Sequence, residues 1–180
     1  MILAGDVEAF EPLVSPHRRP LLSLALRLTQ NMEDAREAAQ ETLLRAFRYL
    51  RKYDPERGFR NWLFGILVNE ARKIRSARTT NSLDPSPHWE DREPVSNEPP
   101  PDERYSRKQA RSQLMECLAA LSPLEKEVFL LRDVEEIPIK ETAAILGTSL
   151  VSVRVHLSRA RRKMKEAILE RYPHLMKEGR

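Results

Sequence analysis

The chain has 180 residues, enough for one large domain or two small ones, and its 5 Gly, 6% aromatic and 32% charged residues, with Leu, Ala, Arg and Glu at helical spacing, predict an all-α fold. The net charge of +4 is uneven: residues 1–78 carry +4, residues 79–107 carry −4 and residues 108–180 carry +4, two basic modules around an acidic connector, which suits either a polyanionic partner or a solvated surface. The lone Cys117 excludes an intramolecular disulfide, the histidines at 17, 88, 156 and 174 lack metal-ligand spacing, and the absence of a spanning run or secretory core predicts a cytoplasmic chain without metal or cofactor.

In the first module, a short helix is predicted over about 6–14 and another over about 16–30, with Ser15 as N-cap and Pro16 at the first helical position. The clearest helix covers about 33–52, where Ala35, Ala38, Ala39, Thr42, Leu43, Ala46, Phe47 and Leu50 form one buried stripe. Its opposite side carries Glu37, Gln40, Glu41 and Leu44, with Asp34 at its start; an apolar Leu44 among charges suggests a protein-binding ridge rather than a solvated face. After the turn 53–58, a fourth helix over about 59–78 buries Phe59, Trp62, Leu63, Ile66, Leu67 and Ile74. It presents Asn61, Gly65, Asn69, Arg72 and Ser76 along one side, with Lys73, Arg75 and Arg78 making its end basic. Such a face suits nucleic acid, and the loop before it suits an unstacked base. Trp62 fits the core better than a stacking platform.

Residues 79–107 lose periodicity and collect six prolines and seven acids, which predicts an extended linker. The second module, 108–180, is entered by a helix over about 102–121, in whose apolar run Cys117 fits as a small core residue. Ser122-Pro123-Leu124-Glu125 then reads as a capping box opening a helix to about 133. A short helix over about 139–146, the turn Gly147-Thr148-Ser149 and a long helix over about 150–171 have the layout of a helix-turn-helix, although an ordinary helical hairpin shares it. On the long helix, Leu150, Val153, Leu157, Ala160, Met164, Ala167 and Ile168 share an apolar stripe. Val151, Ser152, Val155, Ser158, Arg159 and Arg162 lie opposite, with Arg154 on the flank. Arginines bond guanine edges or phosphate, hydroxyls bond either, and exposed valines meet thymine methyls.

Gly5–Phe10, Asp34–Phe47 and Phe59–Leu63 resemble the second region of extracytoplasmic-function (ECF) sigma factors of bacterial RNA polymerase. Leu121–Arg132 and the helix-turn-helix up to Arg161 resemble their fourth region. The resemblance implies two small helical domains and no catalytic group, metal or cofactor. Asp34, Glu37, Gln40, Glu41 and Leu44 would bind core polymerase at the beta-prime clamp. Asn61, Asn69, Arg72, Lys73 and Ser76 would engage the minus-ten element. Ser149, Ser152, Arg154, Val155, Ser158, Arg159 and Arg162 would read the minus-thirty-five element. The beta flap, promoter DNA and an anti-sigma factor would be the remaining partners. Lys73 stands where many members carry Asp, Glu70 where an apolar residue is common, and Val155-His156 where Ser-Arg is frequent, departures that bear on the promoter sequence. The chain also starts partway through a usually longer first helix, which suggests a trimmed or misassigned start at Met1. The alternative is a two-domain regulator that binds duplex DNA alone; it needs neither the ridge nor the basic fourth helix, and binding to core polymerase separates the two.

Overall fold

The structure, a computed structural model, describes residues 7–81 and 101–173; Asp6 of the first predicted helix and the proline-rich centre of the linker lie outside the described residues. The described residues form eight α-helices and no strand: α1 (Val7–Val14), α2 (Arg18–Thr29), α3 (Met32–Tyr49), α4 (Phe59–Asn81), α5 (Pro101–Leu118), α6 (Pro123–Phe129), α7 (Ile139–Leu146) and α8 (Leu150–Arg171). Helices α4 and α5 extend into both ends of the segment predicted as linker.

One predicted boundary is corrected. Ser15 caps nothing: Ser15–His17 form a 3-10 turn flanked by Val14 and Arg18 in right-handed helical geometry, so the chain winds almost continuously from α1 into α2. Pro16 lacks an N–H and has a fixed φ, which suits the first turn of a 3-10 as well as of an α-helix. Helix α2 ends at Gln30, whose φ of 57° is left-handed. Asn31 then caps α3, its side chain accepting from the N–H groups of Glu33 at 2.9 Å and Asp34 at 3.1 Å.

Helices α2, α3 and α4 pack on one another because α3 turns small residues inward; Ala35, Ala38, Thr42 and Ala46 are buried, and the Thr42 hydroxyl donates to the Ala38 carbonyl at 2.6 Å. From α4 come Phe59, Leu63, Phe64, Leu67, Val68 and Ala71. Trp62 belongs to an aromatic cluster, its ring 5.2 Å from Tyr53 and 5.7 Å from Phe59. Gly58 at φ 68° lets the 3-10 turn Pro55–Arg57 feed into α4.

The second module follows its local signals closely. Ser122 and Glu125 close a capping box, with the Ser122 N–H donating to the Glu125 carboxylate at 2.9 Å and the Glu125 N–H to the Ser122 hydroxyl at 3.4 Å. Past α6 the winding widens over Leu130–Val134 into one π-turn before α7. Gly147 takes φ 64° and ends α7, and Ser149 caps α8 by accepting from the Ser152 N–H at 3.1 Å. Val153, Leu157, Ala160, Met164 and Ala167 are buried, whereas Leu150, at the start of the same stripe, is 37% exposed. Cys117 is buried, and burial pushes its thiol up, as a core residue requires.

Candidate nucleic-acid and polymerase interfaces

Helix α8 presents a basic outer face. Arg154, Val155, Ser158, Arg159 and Arg162 are exposed and Ser152 is half-buried. Ser149 is exposed too, but its hydroxyl is committed to capping. Arg154 and Arg159 make no ion pair among the described residues, and Arg162 stands 3.7 Å from Glu166 in an exposed pair. Other cations of α8 hold the module together. Arg161 forks onto Asp133 with both bonds at 2.7 Å, and Lys163 donates to Glu125 at 2.7 Å. Burial alone would raise the Glu125 carboxyl, but Lys163 and Ser122 outweigh it and hold the group down at about 2. His156 is half-buried beside the exposed Val155, so of this departing pair only the valine faces outward.

On α3, Glu37 and Gln40 are exposed, Glu41 is half-buried, and Leu44 is 43% exposed, so these four do form an outward ridge. Asp34 is not part of it. Its carboxylate is buried and pairs with Arg78 of α4 at 2.7 Å, although burial, the largest influence, still raises its pKa.

The stripe on α4 is divided. Asn69 and Ser76 are exposed. Lys73 bonds the buried Glu70 at 3.0 Å, and Arg45 of α3 meets the same carboxylate at 2.8 Å. The two departures at 70 and 73 are therefore one coupled feature, a buried acid and the cations that neutralise it. Asn61, Gly65 and Arg72 face the second module. Asn61 donates to Glu141 of α7, a Cβ on Gly65 would stand 3.7 Å from the Ile145 side chain, and Arg72 grips Glu127 of α6 with bonds of 2.6 and 3.1 Å. Arg75 reaches Glu127 at 3.0 Å, and that carboxylate, 2% exposed, lies between both guanidinium groups. Glu127 is the largest influence raising the Arg72 pKa.

Two further contacts extend this seam. Arg27 and Arg60 converge on Glu135, which is buried, and Arg60 also donates to the Glu135 carbonyl at 3.0 Å. Gln30 donates to the Met115 carbonyl at 2.9 Å and accepts from Lys126 at 2.8 Å. Burial, with Arg75 nearby, pushes Lys126 down to about 8. Glu127, Glu135, Glu141, Arg27, Arg60 and Lys126 of this seam carry no motif or periodicity that marks them in the sequence as site residues. The signal was faint but present: Glu125-Lys126-Glu127 sits inside an apolar run, where charged side chains are buried only with partners.

Similarity to known proteins agrees with this anatomy. Residues 13–80 match the family model for Sigma-70 region 2 and residues 111–164 that for Sigma-70, region 4. The ECF RNA polymerase sigma factor SigG of Mycobacterium tuberculosis is 34% identical over 181 residues, covering 89% of this chain and 48% of SigG, so the chain spans about half the length of that relative. The RNA polymerase sigma factor NccH of Alcaligenes xylosoxydans xylosoxydans is 31% identical, covering 89% of this chain and 87% of NccH. The fold matches that of the sigma factor RpoE from Bartonella quintana, solved with the anti-sigma factor NepR, at a TM-score of 0.72 and 23% identity over 90% of this chain and 98% of that one.

Proposed function

The chain belongs to the extracytoplasmic-function sigma factors of RNA polymerase, and we propose that it works as one: a non-enzymatic cytoplasmic subunit that binds core polymerase and directs it to promoter DNA. The observation that carries this reading is the pairing of two surfaces of opposite character in one chain. The helix-turn-helix α7–α8 exposes a basic face, with Arg154 and Arg159 outside any ion pair among the described residues, that suits duplex DNA, and α3 exposes an acidic and apolar ridge that duplex DNA would repel. A DNA-binding regulator acting alone has no use for the second. Among the described residues, no helix is long and apolar enough to cross a membrane.

In this assignment Glu37, Gln40, Glu41 and Leu44 bind the beta-prime clamp, and Asp34 supports the ridge from inside through Arg78. Asn61, Asn69, Arg72 and Ser76 contact the minus-ten element, while Lys73 serves through its hold on Glu70. Ser152, Arg154, Val155, Ser158, Arg159 and Arg162 contact the minus-thirty-five element, and Ser149 fixes the start of their helix. An apolar hollow between Phe129, Met164 and Ile168, rimmed by Arg161 and Lys165, is the seat for the beta flap. An anti-sigma factor is a further partner.

The packing of the modules has a direct consequence for this function. Asn61 and Arg72 are engaged by Glu141 and Glu127, so minus-ten contact requires the two modules to part. The test is reconstitution: the chain with core polymerase should give a defined transcript start on a promoter selected by that holoenzyme, and Gln40→Lys with Glu41→Lys should abolish assembly while helicity is kept. Specific duplex binding by the chain alone, with no affinity for core polymerase, would overturn the assignment.

A further inference from the structure

The first turns of α8 expose more apolar surface than a solvated basic helix has reason to: Val151 is 66% exposed and Val155 is 41% exposed. The two are four residues apart, so they stand one above the other on the same face, about 6 Å apart along the axis. Arg154 and Arg159 lie on either side of them, Ser158 and Arg162 continue the stripe, and residues 150–165 contain no acid. A protein partner would meet this apolar pair with an arginine on either side and no acid of α8 within the same turns. Duplex DNA matches both features, because its phosphates complement the flanking arginines and the floor of its major groove carries one apolar group, the thymine methyl.

We propose that Val151 and Val155 are specificity-determining residues that each seat a thymine methyl in the upstream promoter element, an inference that rests on the sigma-factor reading above. Base pairs stack about 3.4 Å apart, so side chains about 6 Å apart along a helix lying in the groove reach positions roughly two base pairs apart. The arginines beside them bond phosphate or guanine edges and fix the register in which the valines read.

The experiment removes the methyl groups alone. Holoenzyme assembled from the full chain and core polymerase selects duplexes from a random pool, and the recovered upstream element is remade with each thymine in turn replaced by deoxyuridine. Two positions roughly two base pairs apart should each lose about fourfold in affinity, the scale of one buried methyl group. Val151→Ala should erase the loss at one position and Val155→Ala at the other, with the helix retained because alanine is the better helix former. The inference is overturned if no thymine is sensitive to demethylation, if both variants keep the full wild-type pattern, or if either variant fails to assemble with core polymerase. In the first two cases the wild-type holoenzyme still selects a duplex and the sigma-factor reading stands. A wild-type chain that forms no holoenzyme, or a holoenzyme that selects no duplex, defeats the reading and this inference together.

Discussion

Replacing Glu127 with Gln tests what holds the two modules together. The carboxylate is 2% exposed and accepts four bonds of 2.6–3.1 Å from Arg72 and Arg75, which are themselves about one-third exposed. Net contributions of about 1.5–3 kcal/mol for hydrogen bonds to a charged group set the upper scale. Glutamine keeps the shape and one acceptor, and the partly exposed arginines regain water, which offsets part of the loss. A net cost of about 2 kcal/mol remains, which shifts the balance between closed and open modules roughly thirtyfold. Energy transfer between dyes attached through Glu56→Cys and Glu170→Cys, in a Cys117→Ala background, reports the separation, with circular dichroism as the control for helicity. Transfer should fall in Glu127→Gln at salt concentrations where the parent stays closed. If both proteins give the same transfer across a full salt series with equal helicity, the clamp does not set the closure.

Three other outcomes follow from the same geometry. Lys126 is held down at about 8 in the closed arrangement, so its charge penalises closure below that pH; between about 8 and its free value near 10.5 the penalty is lost, and dye transfer should rise with pH in the parent but not in Lys126→Met. Glu125 is held down at about 2, so its stabilisation is full above its unfolded value near 4.5 and lost as pH falls towards 2; acid titration followed by circular dichroism should show this loss, and Lys163→Met should reduce it. On α8, Arg159→Ala should relax preference at one base pair of the upstream element, at a cost of roughly 1–3 kcal/mol, whereas Lys165→Ala should weaken all sequences alike and lower the salt slope by about one, both read from holoenzyme binding to a single-substitution panel.

Much of the fold was legible because its signals are local. The stripe of α3, the Ser122–Glu125 capping box and the glycine turn at 147 each depend on residues within a few positions, and all three formed where the spacing placed them. The start of α2 misled because proline satisfies 3-10 and α-helical first turns equally, so Pro16 carried no information about which would form. The Asn31 cap went unread although its residue type favours the role. What the sequence hid was the pairing of distant charges. Lys163 lies in the basic run of α8, yet its ammonium goes to Glu125, 38 residues away. Asp34 looks like part of the ridge until Arg78 draws it inward. Periodicity tells which face a charge lies on, but it does not tell which charge of another helix will meet it.

The seam between the modules shows why such pairings arise on a face proposed to meet nucleic acid. Guanidinium groups accept a carboxylate with the same fork geometry that they offer to phosphate, so any basic surface able to grip DNA can also grip a suitably placed acid. Glu127 and Glu135 are so placed, Glu141 accepts from the Asn61 amide beside them, and the close approach of Ile145 at Gly65 gives the contact a shape as well as a charge. Because both modules belong to one chain, closure competes at the high effective concentration that a tether confers, and modest ion pairs suffice to maintain it. In the proposed function, promoter DNA would answer with a denser array of negative charge, and polymerase subunits bound to α3 and to the α6–α8 hollow would pull the modules apart. If Arg72 contacts promoter DNA as proposed, the clamp at Glu127 would set a threshold: strong enough to keep Arg72 from binding nucleic acid indiscriminately, yet weak enough to yield when both modules are engaged at once.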